Sequence, residues 1–225
     1  LMSVQERAPG GVANSSDMVG RNLMDHPGSG SHWIAKEPVW SGRGPMILSG
    51  LVSMRDGPWR SHTAARKLQP SNFNPLSRVS EAAISEGLRG EELREAVRWR
   101  AARQMTLWGL HEQLPDPENR IRPSTEGLTD ALGVPRPEIH YRVDEYTWNS
   151  IRAAHDFAER IGALYGAEKV EHDEGFLGNN HITGATIMGD DPRDSVVDGE
   201  CRTHDHPNLW ISSSSTFPSV SSVNV

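Results

Sequence analysis

Between residues 138 and 166 the sequence changes its period within a few positions, and that change constrains the fold more than any other feature. Glu138-Ile139-His140-Tyr141-Arg142-Val143 alternates polar and apolar, the pattern of a half-buried strand. Asp144 follows, and its short carboxylate suits a helix N-cap. Trp148, Ile151, Ala154, Ala158, Ile161 and Tyr165 then recur three or four positions apart, which places them on one stripe of a helix. Gly166 stands where a left-handed residue closes the last turn. A helix with one apolar stripe needs a second layer to pack on, and a strand leading straight into it points to a sheet.

Upstream, the signals are shorter. His32-Trp33-Ile34-Ala35 and residues 46–54 read as strands, with Ser41-Gly42-Arg43-Gly44-Pro45 as the loop between them. Pro58, Pro70 and Pro75 make residues 57–80 read as loop. Residues 81–103 read as one helix in which Glu91, Glu92 and Glu95 precede Arg98, Arg100 and Arg103, the order the helix dipole favours. Met105 to Leu114 reads as a strand. Asp116-Pro117-Glu118-Asn119 reads as a turn after which Arg120-Ile121-Arg122 returns antiparallel to it. The expectation is an α+β fold: an antiparallel sheet with packing helices and no internal repeat.

Composition narrows the function classes. The chain of 225 residues carries a net charge of −7, which repels phosphate backbones and argues against nucleic acid as a partner. No run of about 18 apolar residues exists to span a bilayer as a helix. Seven tryptophans argue against disorder; most are expected in the core. Cys201 is the single cysteine, so neither an internal disulfide nor a cysteine-held iron–sulfur cluster is available. His204-Asp205-His206 offers too few ligands for a metal, and Asp190, Asp191 and Asp194 read as a solvated turn. Leu1-Met2-Ser3 at one end and Val223-Asn224-Val225 directly after a Ser/Pro-rich turn at the other both read as cuts, so a piece of a longer protein is expected.

Residues 179–225 carry the chemistry. Asn179-Asn180-His181-Ile182-Thr183-Gly184-Ala185-Thr186-Ile187-Met188-Gly189 is followed by Ser195-Val196-Val197-Asp198, then Asn208-Leu209-Trp210-Ile211, a serine run, Phe217-Pro218 and finally Asn224. This order resembles the glucose–methanol–choline oxidoreductase family, in which a histidine precedes Gly-x-x-x-Met-Gly, a Ser-Val-Val-Asp turn, a strand and a Pro-containing loop ending in His or Asn. A second resemblance lies in Gly20-Arg21-Asn22-Leu23-Met24-Asp25-His26-Pro27. The middle of the chain, including residues 114–120, is similar to the bacterial branch of FAD-dependent glucose, gluconate and sorbitol dehydrogenases.

The resemblance implies a division of the chain. Residues 1–30 would belong to the flavin domain and its junction, and residues 31–178 would form the substrate-binding domain. Residues 179–225 would be the C-terminal segment bearing the catalytic histidine and the flavin-facing loop, so that fragments of an FAD-binding α/β domain flank the antiparallel sheet. It also implies roles. His181 would take the carbinol proton while the N5 of FAD takes the hydride, a task suited to an imidazole titrating near neutrality. Asn224 would orient the substrate oxygen. Ser214, Ser215 and Val225 would face the flavin, the serines presenting backbone N–H groups at close range. His111 and Glu112 are candidate substrate contacts on the sheet, and Asp25 with His26 would fix a loop at the domain junction.

The substrate implied is a sugar or polyol. By the same resemblance the partners would be a small export-assisting subunit and a cytochrome c subunit, in the periplasm and membrane-associated through them. The Gly-x-Gly-x-x-Gly turn that binds the ADP part of FAD is absent from this sequence, so FAD would be held mainly outside it. Two other readings stand beside this one: an alcohol oxidase of the same family that uses oxygen, and a non-catalytic truncated binding module.

Overall fold

A computed structural model describes residues 1–2, 8–46 and 49–222. Its elements run β1 (Gly28–Ile34), β2 (Arg66–Pro70), α1 (Leu76–Ser85), α2 (Gly90–Ala101), β3 (Gln104–His111), β4 (Arg120–Pro123), β5 (Pro137–His140), α3 (Glu145–Leu164) and β6 (Val170–His172). All four ladder pairings are antiparallel, and the fold class is α+β. The chain divides into two compact units. Unit one is Leu1–His26, Glu112–Thr147 and Gly178–Val225; unit two is Pro27–His111 and Trp148–Leu177.

Unit two is a layered structure. Its sheet has the order β2-β3-β1-β6. Register pairs Trp33 with Met105 and Val170, and Leu68 with Gly109, so these residues share one face. The stripe of α3 packs on that face. Trp33, Leu68, Leu107, Ala154, Ala158 and Val170 form the buried cluster, with Met54, Met105, Phe157 and Ile161 around it. Alanines at 154 and 158 let the helix approach closely, and each fully buried large side chain contributes about 1.5–3 kcal/mol. The N-cap reading of Asp144 holds: its Oδ1 accepts the Thr147 N–H at 2.7 Å.

Several expectations are corrected here. Residues 81–103 form two helices, because Gly87 (φ +88°) turns the chain after α1 and Gly90 opens α2. Residues 57–80 are only partly loop, since they hold β2 and the start of α1. The strand expected over 46–54 is reduced to an isolated bridge between Leu51 and Leu68, with Ile47 and Leu48 outside the described residues. Residues 120–122 do not return along β3; β4 pairs with β5, Ile121 opposite Ile139. Nor are the tryptophans mostly core. Trp33 is 3% exposed, whereas Trp40, Trp99 and Trp210 are 50%, 53% and 57% exposed.

Unit one has little regular structure beyond the β4–β5 pair and a 3₁₀ turn at Ser214–Thr216. Isolated bridges hold it together, among them Met24 with Thr183, Gln113 with Val220, and Met188 with Val197. Where ladders are short, backbone groups must find side-chain partners instead. Asn119 illustrates this: its Oδ1 accepts the Arg142 N–H at 2.8 Å and its Nδ2 donates to the Arg142 carbonyl at 2.9 Å. The amide thus supplies both bonds of a missing strand.

Candidate functional site

The segment bearing His181 runs antiparallel to residues 20–25. Met24 and Thr183 exchange both backbone bonds at 3.0 Å, and the Ala185 N–H donates to the Arg21 carbonyl at 2.9 Å. This pairing requires glycine at 184. A Cβ there would lie 1.8 Å from the Asn22 carbonyl oxygen, and φ is +74°.

Asp25 closes the next turn. Its carboxylate, in a residue only 7% exposed, accepts four backbone N–H groups: His26 at 2.7 Å, His181 at 3.0 Å, Asn179 at 3.0 Å and Asn180 at 3.2 Å. A charged acceptor binding several N–H donors is about twice as strong per bond as a neutral one. The Asn179 side chain adds a bond to the His26 carbonyl. The loop entering His181 is therefore set by a carboxylate about 155 positions earlier in the chain.

The His181 ring meets the His26 ring edge to face, 5.2 Å between centroids at 81°. His181 is half-buried, and its Nδ1 is sealed from solvent with no hydrogen-bond partner among the described residues. A second layer supports Asp25. Its N–H donates to Gln113 Oε1 at 3.2 Å, the Tyr141 hydroxyl donates to the same oxygen at 2.7 Å, and Gln113 Nε2 reaches the Arg142 carbonyl at 3.0 Å. Burial, and then the nearby Asp25 charge, raise the Tyr141 pKa above its ordinary value, so the phenol stays a donor.

The serine turn lies against the same segment. Ser214 Oγ donates to the Ile182 carbonyl at 2.7 Å, Ser215 Oγ is 2.6 Å from Thr186 Oγ1, and the Thr186 N–H donates to the Ser215 carbonyl at 3.0 Å. Each hydroxyl engaged once keeps capacity for another bond. Ser213, Ser214 and Ser215 thus form an uncharged hydroxyl set, a donor chemistry that fits the polyol part of a flavin. Asn224 and Val225 lie outside the described residues.

The two candidate substrate contacts part company. His111 belongs to unit two and is fully buried, with Nε2 at 2.8 Å from Ser29 Oγ and Nδ1 at 2.8 Å from Ser150 Oγ. Burial first, and the Arg66 and His155 charges next, hold its pKa down to about 3, so it is neutral near pH 7. Glu112 belongs to unit one, where it is half-buried and its carboxylate accepts a long bond of 3.4 Å from the Tyr146 hydroxyl. His204 and Asp205 have local partners: His204 Nε2 is 2.9 Å from Ser195 Oγ, and Asp205 accepts the Ser15 N–H at 2.9 Å. No group of three or more possible metal ligands occurs among the described residues. The clamp by Asp25 and the roles of Gln113, Tyr141 and Asn119 were not visible in the sequence; the Asp25-His26-Pro27 motif was the one signal pointing toward them.

Residues 115–225 match the family model described as GMC oxidoreductase. Over 224 residues the chain is 44% identical to the fructose dehydrogenase large subunit of Gluconobacter japonicus, covering 100% of this chain and 41% of that protein. It is 30% identical over 223 residues to the paromamine 6'-oxidase of Streptomyces fradiae, covering 94% of this chain and 37% of that protein. A shorter similarity, 28% over 112 residues, is to the pyranose 2-oxidase of Tricholoma matsutake. The chain spans about two fifths of the length of the curated relatives it matches end to end.

Proposed function

Because this chain belongs to the GMC oxidoreductases and carries their C-terminal domain, we propose that it is the proton-handling part of an FAD-dependent dehydrogenase that oxidises a CH–OH group of a sugar or polyol. The observation that carries the reading is the buried Asp25 carboxylate holding the backbone of residues 179–181 at the matched histidine. A bound FAD would supply the hydride-accepting chemistry. His181 accepts the proton from the substrate hydroxyl at its imidazole, a contribution of about 10²–10⁴ in rate. Asn224 hydrogen-bonds the substrate oxygen and orients it without competing for the proton. Ser214 and Ser215 would hold the ribityl or pyrophosphate part of the flavin, and Val225 would lie beside its ring. Residues 31–178 form the substrate domain, while residues 1–30 and 179–225 belong with the flavin domain.

The substrate class rests on two relatives whose names specify fructose and pyranose. One of those relatives is named as a large subunit, which supports a smaller partner subunit here as well; the partners in this reading are a small export-assisting chain and a cytochrome c acceptor, in the periplasm. A second reading has its own support, since two of the three relatives are named oxidases. In it the same residues serve an enzyme that passes its electrons to oxygen.

Purifying the protein in its full reading frame tests the proposal. A yellow protein that reduces an artificial dye with glucose, fructose, gluconate or sorbitol supports the dehydrogenase. Stoichiometric peroxide formation in air moves the reading to the oxidase. A colourless protein, unreactive toward all of them after FAD is added, defeats both.

A further inference from the structure

Asp25 uses all of its acceptor capacity on the loop that carries His181. Its Oδ1 accepts the His26 and His181 N–H groups, and its Oδ2 accepts those of Asn179 and Asn180. An ionised carboxylate offers about four lone-pair sites, so no further donor can steer it. Its orientation is inherited from the backbone of residues 23–25. On one side that backbone pairs with Thr183 through Met24. On the other, the Leu23 N–H donates to the Asn119 carbonyl at 2.9 Å and the Asp25 N–H donates to Gln113 Oε1 at 3.2 Å.

Gln113 is fully buried, and both polar atoms of its amide are engaged. Oε1 accepts the Tyr141 hydroxyl at 2.7 Å as well as the Asp25 N–H, while Nε2 donates to the Arg142 carbonyl at 3.0 Å. One orientation of the amide satisfies this set. Turned over, it would set its NH₂ against two donors and its oxygen against a carbonyl. Asn119 Nδ2 donates to the same Arg142 carbonyl at 2.9 Å, which fixes that acceptor in place. The Gln113 backbone forms an antiparallel bridge with Val220, itself buried. The side chain therefore reaches from an anchored base to a residue 88 positions earlier.

The geometry points to Gln113 as a positioning residue for the reaction, a role that rests on His181 being the proton acceptor: Gln113 fixes Asp25, and through Asp25 the backbone that presents His181. A general base works only within hydrogen-bond reach of the proton it takes. A misplacement of about 1 Å, caused by a change remote from the chemistry, can slow a reaction by about 10²-fold. The position needs an acceptor and a donor in one neutral side chain. An ionised carboxylate there would face the Arg142 carbonyl without a donor and set a second negative charge beside Asp25. A protonated carboxyl would restore the donor and remove the charge.

Gln113→Glu in the full-length enzyme tests the role, with flavin reduction followed by stopped-flow absorbance. Burial and the Asp25 charge raise the introduced carboxyl above its ordinary value of about 4.3. Below its pKa the variant is expected to reduce its flavin at close to the wild-type rate. As pH rises through that pKa, the ratio of variant to wild-type rate should fall by about tenfold or more, with flavin content and substrate affinity little changed. Taking the ratio removes the titration of His181, which both proteins share. In a His181→Ala background the same substitution should cost almost nothing at any pH, because residues acting through one another are not additive. A ratio that does not change with pH, an equal loss in both backgrounds, or a loss confined to substrate affinity overturns the role. If His181→Ala alone is reduced as fast as wild type, the proton-acceptor reading fails and the role of Gln113 falls with it. A slow His181→Ala beside an unaffected Gln113→Glu removes the role of Gln113 alone. Should Gln113→Glu fail to fold, Tyr141→Phe takes one donor from the same oxygen; it should be slower than wild type only where His181 is present, and a rate equal to wild type overturns the proposal.

Discussion

The two units reach order by different routes. Unit two is built from ladders and one apolar cluster, so most of its backbone groups pair with other backbone groups. Unit one has two strands of four residues each and relies on buried polar side chains, namely Asp25, Gln113, Asn119 and Ser195, to capture backbone that no ladder reaches. An apolar cluster fails in proportion to the volume removed. A captured loop fails when one acceptor is lost, because every donor it held is left unsatisfied. The candidate catalytic histidine sits on the second kind of structure, where position depends on a few bonds.

The largest expected effect on stability is in the cluster. Trp33→Ala should cost about 3–5 kcal/mol by chemical denaturation, and a value under about 1 kcal/mol would mean that unit two is not organised around that side chain. Asp25→Ala comes next. It strands four backbone N–H groups and should cost about 1–3 kcal/mol, while turnover of the full-length enzyme falls by far more than the stability loss explains. If denaturation and turnover change together, the distinction between the units collapses.

The third expected effect is a pH dependence of unit two. His111 has its folded pKa lowered to about 3, against an unfolded value of about 6.5. The unfolded chain therefore binds more protons between those values, and stability rises with pH in that window. The contribution is complete above about pH 6.5 and is lost as pH falls toward 3. Replacing His111 by Gln should flatten the slope measured by denaturation across this range; an unchanged slope would place the acid sensitivity elsewhere. The smallest expected effect is at Arg193, fully exposed and paired with Asp191. Arg193→Ala should leave the melting temperature unchanged within error, as isolated surface pairs do.

This contrast also explains what the sequence made legible. The α3 stripe was readable because its apolar residues recur within a few positions and Asp144 caps it locally. The core strands showed through in part: β1 spans Gly28–Ile34 where only His32–Ala35 reads as a strand, and β3 ends at His111 where the strand reading ran on to Leu114. The break between α1 and α2 was missed, since α2 buries no residue fully to mark its own phase, and its Glu-before-Arg order was read as running on from the residues before Gly87. The exposure of Trp40 and Trp99 ran against the usual burial of indoles. In the candidate site, His181 and the serine turn were found through the family's motif alone. The Asp25 clamp joins residues some 155 positions apart and has no period to betray it. A polar side chain that substitutes for a strand leaves no pattern in the sequence around it.

The central claim is that His181 takes the proton when the substrate is oxidised. The most direct measurement is the rate of substrate-driven flavin reduction, followed by stopped-flow absorbance in the full-length protein, wild type beside His181→Ala. The account predicts that the variant keeps its flavin and its melting temperature while reduction slows by about 10²–10⁴. A variant that holds flavin and is reduced as fast as wild type would contradict it.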